Sequence, residues 1–325
     1  MVSFPSRAIP LTCTVLFLLF LVSLSQLMPI IAKETNEPEF NFVAAGDWGC
    51  GHEALHTFSM MKSMEPELYL GLGDYSYEKS IDCWLNIVKS VGNAFKIALG
   101  NHDTGGELLQ DYMDEFRLDK PYYSFNYRNA HFIALSTELN MPDEAEQLKF
   151  VKKDLLRTKT NENIDWIIIF FHRPFYSAGD SKITDMRRNY HPLFQNFGVD
   201  LVIQGHLHNY QRTYPLLYND DRNSKPIVSD KEQSYYHDPS GIIFVIAGTG
   251  GKSLNSVNNE PYLASTYEGY GCINVEIEGK SMNVEYYSDT NNTIDKFLIT
   301  KNPDSPKSVD ENTETQRIEY QKSAK

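Results

Sequence analysis

Short apolar runs that end in a polar side chain recur along the chain. They cover residues 42–46, 68–72, 95–100, 166–171 and 199–205, and Asp, Asn or His follows each run directly or within two residues. Such runs are long enough for a buried strand and too short for a helix. Because crossover connections bring the carboxyl ends of parallel strands to one edge of a sheet, we expect these polar residues to lie close together.

Stretches with apolar residues at helical spacing lie between these runs. They predict helices over residues 52–64, 80–91, 144–157 and 184–197. The alternation of strand and helix predicts an α/β fold built from βαβ units. Residues 122–127 and 131–135 predict a hairpin-like pair of strands joined by Arg128 and Asn129. After Tyr214 the pattern predicts a loop and then strands over 242–247, 272–277, 282–288 and 296–299.

The two ends of the chain differ from the folded part in composition. Arg7 precedes an almost wholly apolar stretch over residues 9–32, which is typical of a secretory signal peptide. The stretch is long and its cleavage site is poor, so a signal anchor that spans the membrane once remains open. Both interpretations place the rest of the chain outside the cytoplasm. We expect a linker over residues 33–39, a folded domain over 40–300 and a disordered polar tail over 301–325.

Charge and cysteine content narrow the choice of function. The net charge of the 325 residues is −13, which argues against a nucleic-acid-binding surface or an anionic-membrane surface, since both need basic patches. Cys13 lies in the leader, and Cys50, Cys83 and Cys272 are far apart without a CxxC pair, so a zinc knuckle is excluded. One disulfide with one free thiol and a set of buried free thiols both remain open.

The polar residues at the strand ends are of metal-binding types. A single Asp in such a position can simply cap the next helix. The whole set contains carboxylate, amide and imidazole groups, which together favour a metal site. The glycines at 248, 250 and 251 predict a tight turn near this set, because no Lys-Ser/Thr helix start follows them as in a phosphate-binding loop.

Five blocks of these residues resemble, in order, the metal-ligand blocks of the purple acid phosphatases, which are calcineurin-like metallophosphoesterases. The blocks are Gly46-Asp47-Trp48-Gly49, Gly73-Asp74-Tyr75-Ser76-Tyr77, Gly100-Asn101-His102-Asp103, His172, and Gly205-His206-Leu207-His208. The resemblance implies an α/β/β/α sandwich of two mixed sheets flanked by helices. In length and in its first block the chain resembles the small, single-domain, tartrate-resistant type, whereas the block around His206 is closer to the plant type.

The resemblance also implies a ligand set for two metal ions. Fe(III) would be held by Asp47, Tyr77 and His208. A divalent ion, Fe, Zn or Mn, would be held by Asn101, His172 and His206, and Asp74 would bridge the two. The donor types agree with this division, because phenolate and carboxylate suit a trivalent ion and imidazole and amide suit a divalent one.

Other residues near these blocks are candidates for contacts with the substrate or with the ligands. His102 resembles the family's outer-sphere histidine, which contacts the phosphate group and can protonate the leaving oxygen. Asp103 is expected to orient a neighbouring group. Arg173, Tyr176 and His191 are substrate candidates, with a purely structural role as the alternative for each.

The resemblance implies an acid phosphatase, and the N-terminal apolar segment predicts that it is secreted or membrane-anchored. It would hydrolyse small phosphate monoesters by direct attack of a hydroxide at a dinuclear Fe(III)–M(II) centre. A phosphodiesterase or nucleotide hydrolase using the same site is one alternative. A non-catalytic protein that binds metal or phosphate is another, and it would require a broken ligand set, whereas all seven ligand positions are filled.

Overall fold

The computed structural model of the chain describes residues 39–140, 143–179 and 184–302. The predicted signal segment 1–32, nearly all of the linker 33–39 and all but two residues of the tail 301–325 lie outside these ranges. Across the described ranges, no helix has both the length and the apolar content to cross a membrane.

One seven-stranded sheet contains the strands formed by the first three apolar runs of the sequence, residues 42–46, 68–72 and 95–100. Its strand order is β11-β16-β15-β14-β1-β2-β3. β1, β2 and β3 are parallel to one another, and β14, β15 and β16 continue the sheet in antiparallel fashion. The strands are β1 (Glu39–Ala45), β2 (Leu68–Gly71), β3 (Phe95–Ile97), β11 (Tyr235–His237), β14 (Gly271–Glu278), β15 (Ser281–Ser288) and β16 (Thr293–Thr300).

A second seven-stranded sheet carries the other two strand ends. Its order is β13-β8-β12-β7-β6-β5-β4, with β5, β6, β7 and β12 parallel. The strands are β4 (Tyr123–Tyr127), β5 (Ala130–Ala134), β6 (Trp166–Phe171), β7 (Leu201–Gln204), β8 (Tyr210–Thr213), β12 (Ile243–Ala247) and β13 (Leu263–Tyr267). A separate two-stranded ribbon pairs β9 (Leu216–Leu217) with β10 (Ile227–Val228). The predicted hairpin is β4–β5, in which Tyr127 pairs with Ala130.

Alternation along the strands explains the layered core. In β1, Phe42 points into the layer between the two sheets, whereas Val43 points to the outer face of the first sheet. In β6, Ile168 lies in the same central layer, and Ile169 lies on the outer face of the second sheet. Strands with both faces covered read as continuous apolar runs, as the sequence does here.

Helices cover the two outer faces. The helices are α1 (His52–Ser63), α2 (Asp82–Val88), α3 (Leu108–Glu115), α4 (Asp143–Lys159) and α5 (Thr184–Phe197). Buried residues of α1, α2 and α3 pack on the first sheet, and buried residues of α4 and α5 pack on the second. The predicted α/β/β/α sandwich of two mixed sheets is therefore confirmed.

Some element boundaries differ from the predictions. The predicted helix 80–91 is shorter, because α2 ends at Val88 and a 3-10 helix over Lys89–Ala94 follows, with Gly92 at a φ of 51° inside it. Helix α3 was not predicted, because it buries only Leu108 and Tyr112 and carries no long apolar stripe.

Candidate metal centre

The polar residues that follow the strands come together where the two sheets present their carboxyl ends. Asp47 follows β1, Asp74 follows β2 and Asn101 follows β3 on the first sheet. His172 directly follows β6, and His206 follows β7, on the second sheet. The ligand candidates therefore come from both sheets of the sandwich.

The first group of ligand atoms belongs to Asp47, Tyr77 and His208. The Tyr77 hydroxyl lies 3.1 Å from Nε2 of His208 and 3.3 Å from Oδ1 of Asp47. Nε2 of His208 lies 3.4 Å from the same Asp47 oxygen. One phenol, one carboxylate and one imidazole thus converge on a single small volume.

The second group belongs to Asn101, His172 and His206. Nε2 of His172 lies 3.2 Å from Oδ1 of Asn101 and 3.3 Å from Nδ1 of His206. Asp74 connects the groups, because its Oδ2 lies 3.3 Å from Nε2 of His172 and its charge also acts on Tyr77. Asp74, His172 and His206 form a cluster whose ligand atoms all lie within 4.8 Å of one another.

Backbone carbonyl groups fix which nitrogen of two imidazoles faces the centre. Nδ1 of His172 lies 2.8 Å from the carbonyl oxygen of Leu72, and Nδ1 of His208 lies 2.6 Å from that of Ser253. A carbonyl can only accept, so Nδ1 carries the proton in both rings and Nε2 faces the other ligand atoms. Imidazole nitrogens aimed in this way beside carboxylate, amide and phenol oxygens fit a pair of transition-metal ions.

Electrostatics in the centre favour cations. Burial opposes ionisation of Asp74, but the His172 ring and the N–H group of His102 outweigh it and lower the pKa of Asp74 to about 2. Burial disfavours a charged His172, yet Asp74 outweighs that effect and raises the pKa of His172 to about 9. Burial, His172 and Arg173 together lower the pKa of His206 to about 4. A proton on His172 therefore occupies a position that a metal ion would take, and metal binding would release it.

Asp103 holds together the two turns that carry Asp74 and Asn101. Its Oδ2 accepts hydrogen bonds from the backbone N–H groups of Asp74 at 2.6 Å and Gly100 at 2.8 Å. Its Oδ1 accepts from the N–H group of Tyr75 at 2.9 Å. Burial and the negative charge of Asp74 raise the pKa of Asp103 to about 7, while the Tyr75 and Gly100 N–H groups act against them.

His102 lies at the rim of the centre. Its side chain is 50% exposed, and its Nε2 lies 4.0 Å from Oδ2 of Asp74. Its ring contacts the ring of Tyr77, with 4.4 Å between the centroids. The centre has four imidazoles, those of His102, His172, His206 and His208. The His102 ring is the most exposed of the four and is therefore the most open to an incoming substrate.

The three substrate candidates of the sequence occupy two different places. Arg173 reaches the centre, where its NH1 group lies 3.3 Å from Nε2 of His206 and its Nε donates to Glu138 at 2.8 Å. Tyr176 and His191 are buried and lie 2.7 Å apart, Oη to Nδ1. Both rings pack against Phe244, so both side chains lie in the core on the outer face of the second sheet.

Several ligand-bearing residues have a left-handed backbone. The φ angles are 59° at Asp47, 55° at Asp74, 58° at Tyr77 and 73° at His206. Non-glycine residues rarely adopt such angles, and they do so mainly where the surrounding structure fixes a functional turn. The turns are also tightly packed, because a Cβ at Gly100 would meet Oδ1 of Asp74 at 2.2 Å.

A disulfide lies beside the first ligand group. Cys50 is bonded to Cys83, and Cys272 is free and buried. The one-disulfide alternative is therefore the one present. The bond joins the loop after Asp47 to the start of α2, and the Cys50 sulfur lies 3.5 Å from the carbonyl oxygen of Ser76, next to Tyr77.

Comparison with known proteins identifies the family. A family model described as calcineurin-like phosphoesterase matches residues 40–210. The chain belongs to this family. The predicted resemblance to metallophosphoesterases is therefore confirmed, and the matched range contains all seven ligand candidates.

Named relatives and a solved structure refine the likeness. The chain is 24% identical over 250 residues to purple acid phosphatase 15 of Arabidopsis thaliana, covering 63% of this chain and 44% of the relative. It is 27% identical over 239 residues to the Arabidopsis protein named "probable inactive purple acid phosphatase 1", covering 64% of this chain and 38% of that one. A purple acid phosphatase from yellow lupin seeds has the same fold, with a TM-score of 0.74 at 21% identity, over 85% of this chain and 56% of the lupin chain.

The chain spans about half the length of the curated relatives that it matches. Of these two relatives, which have similar identity to the chain, one is named a purple acid phosphatase and the other a probable inactive one.

Three residues near the candidate metal centre were not predicted from the sequence. Lys252 lies 4.2 Å from the centroid of the Tyr77 ring, Ser253 holds His208, and Glu138 holds Arg173. All three lie on loops, between 34 and 45 residues away along the chain from His172 or His208. For Lys252 and Ser253 the signal in the sequence was the glycine-rich turn after β12, which predicted proximity to the metal-binding set, whereas no pattern pointed to Glu138.

Proposed function

We propose that this chain is a secreted or membrane-anchored acid phosphatase that hydrolyses phosphate monoesters at a dinuclear Fe(III)–M(II) centre, where M is Fe, Zn or Mn. The observation that carries the proposal is the position of Asp74 beside two complete groups of ligand atoms. A protein that merely retained the fold would have no need to keep both groups filled.

Each group of the chain has a defined part in this reaction. Asp47, Tyr77 and His208 would hold Fe(III), Asn101, His172 and His206 would hold the divalent ion, and Asp74 would bridge them. When bound, the two ions would neutralise phosphate oxygens and supply hydroxide at acidic pH.

His102 would donate a proton to the leaving oxygen. Its exposed ring at the rim suits that part, because a leaving group must point towards solvent to depart. Asp103 would fix the positions of Asp74 and Asn101 relative to each other, because it accepts hydrogen bonds from both of the turns that carry them. Arg173, which Glu138 orients, would contribute positive charge at the second ligand group.

The disulfide supports an extracytoplasmic location, because structural disulfides persist in oxidising compartments. Expression in a secretory host followed by mass spectrometry tests the location. A released protein that lacks residues 1–32 would support secretion, and a full-length protein in the membrane fraction would support the anchor. A full-length protein in the cytosol would contradict both.

Metal analysis combined with turnover of an aryl phosphate at about pH 5 tests the activity. We expect two metal ions per chain and hydrolysis in the wild type, and loss of activity and of much of both metals in Asp74→Asn, because neutralising a bridging carboxylate leaves the repulsion between cations uncompensated. The matched control is Asp111→Asn, the same change on the exposed face of α3. Asp74→Asn with two metals and a normal rate would contradict the proposal.

A monoester and a diester with the same leaving group separate the enzyme alternatives. We expect faster hydrolysis of the monoester. Faster hydrolysis of the diester would replace the proposal with a phosphodiesterase, and two bound metals without any turnover would replace it with a binding protein.

A further inference from the structure

The loop after β12 is tied to the first ligand group through its backbone. The N–H group of Gly250 donates to the carbonyl oxygen of Gly46 at 2.8 Å, and the N–H group of Lys252 donates to that of Asp47 at 2.9 Å. The carbonyl oxygen of Ser253 accepts from His208. Residues 250–253 are therefore held in place on both sides of Lys252, directly beside the candidate ligands.

The Lys252 side chain lies over Tyr77 and has no acidic partner in the described part of the chain. Its ammonium is 4.2 Å from the centroid of the Tyr77 ring, and the residue is half-buried. Among the described residues, no carboxylate forms an ion pair with it. The chain has 43 acidic and 30 basic residues, so a lysine beside the centre that lacks an acidic partner needs an explanation.

The ring of Tyr77 also brings Lys252 close to His102. The same ring contacts His102, whose centroid lies 4.4 Å away. Lys252 and His102 are thus neighbours of one aromatic ring at the first ligand group. Arg173 lies instead beside His206 of the second group and already has Glu138 as its partner.

We propose that Lys252 binds a second anionic group, a carboxylate or another phosphate, on the leaving portion of the substrate. The inference rests on the proposed function, because His102 as proton donor to the leaving oxygen marks the direction in which the leaving group extends. Because both groups contact the Tyr77 ring, at 4.2 Å and 4.4 Å from its centroid, an anionic group on a leaving portion that extends past His102 comes within reach of the Lys252 ammonium. The preferred substrates of this site are phosphate monoesters whose leaving group carries its own negative charge.

A packing role is the competing explanation, and the chain contains an example of it. Lys96 on β3 lies over the ring of Phe125 at 5.5 Å, is also half-buried, and is not adjacent to any ligand candidate. A lysine that only packs on a ring should have the same effect on kcat/KM for substrates with charged and with neutral leaving groups. The two roles therefore differ in their dependence on the charge of the substrate.

The test compares two substrates of the same shape and different charge, 3-carboxyphenyl phosphate and 3-carbamoylphenyl phosphate, in the metal-loaded protein. The wild type is expected to prefer the carboxylate in kcat/KM by about 2- to 5-fold, the range for one partly exposed ion pair. Lys252→Gln should abolish the preference, mainly through KM, and Lys252→Arg should keep it. Lys96→Gln is the matched control and should leave the preference unchanged. A preference that Lys252→Gln leaves intact would overturn the inference.

A binding measurement separates failure of the inference from failure of the proposed function. The probes are 3-carboxybenzylphosphonate and 3-carbamoylbenzylphosphonate, which cannot be hydrolysed, with Kd measured by calorimetry. A wild type that turns over neither aryl phosphate but binds the carboxylated phosphonate more tightly, with the difference lost in Lys252→Gln, would refute the phosphatase and support the anion site. Equal Kd values for the two phosphonates in the wild type would refute the anion site.

Discussion

Asp103→Asn is the sharpest test of how the centre is held together. The carboxylate is fully buried and accepts three backbone hydrogen bonds, from Asp74, Tyr75 and Gly100. The substitution preserves the shape of the side chain and removes one acceptor oxygen. The amide oxygen can still accept from Asp74 and Gly100, but the amide NH2 group then faces the N–H group of Tyr75.

The expected loss in the free energy of unfolding follows from the hydrogen bonds that Asp103→Asn removes. One charge-assisted hydrogen bond is lost and one buried N–H group is left facing another donor, which together cost about 2–4 kcal/mol. For a domain of this size each kcal/mol lowers Tm by about 2–4 °C, so we expect a decrease of about 5–15 °C. Burial and the negative charge of Asp74 raise the pKa of Asp103. The metal-loaded protein is the state to test, because a cation beside Asp74 offsets the second of these effects.

Calorimetric unfolding and metal analysis of the same samples provide the measurement. Metal affinity should fall by about 10- to 100-fold, because the amide NH2 group repels the Tyr75 N–H group and displaces the turn that carries Asp74. Asp111→Asn on α3 is the control for the chemistry of the change. If Asp103→Asn has the same Tm as Asp111→Asn and retains both ions, Asp103 does not hold the two turns.

Three further substitutions test other parts of the site and the core. His102→Ala should keep both metals and lower kcat by about 10²- to 10⁴-fold, with a larger loss on a poor leaving group than on an activated aryl phosphate, and equal losses would mean that His102 only positions the phosphate. Tyr77→Phe should bleach the pink to purple colour expected of a phenolate bound to Fe(III), and a wild type that is colourless and unaffected by the change would remove Tyr77 from the ligands. Burial lowers the pKa of His191 to about 3, so below about pH 6.5 the unfolded chain takes up a proton that the folded chain does not, and stability falls with acidification. Between about pH 7 and about pH 5 the loss is about 2 kcal/mol. In urea unfolding, the loss between these two pH values should be about 2 kcal/mol smaller in His191→Asn than in the wild type, and equal losses would show that His191 is not responsible.

The strand ends could be predicted because their signal is local. Each ligand candidate follows an apolar run within a few residues, and parallel strands bring such positions together whatever the rest of the chain does. The same rule predicted that Asp47 and His206 lie close, although they are far apart in sequence, and the N–H group of His206 donates to Oδ2 of Asp47 at 2.7 Å.

Features that depend on partners distant in sequence could not be predicted. Strand β8 has the polar sequence Tyr-Gln-Arg-Thr yet is fully buried. Burial is possible because Arg212 forms an ion pair with Asp295 and Gln211 accepts from the N–H group of Ala178. The pairing of Cys50 with Cys83 was open for the same reason, since spacing alone does not select a partner.

Backbone geometry at the ligand turns has a consequence for how this site would decay over evolution. A side chain at a left-handed position costs of order 1–3 kcal/mol, and glycine avoids that cost. Asp47 and Asp74, with φ angles of 59° and 55°, thus trade stability for metal binding. A descendant released from selection for catalysis should accumulate glycine at these two positions sooner than alanine, because alanine deletes the ligand and keeps the strain.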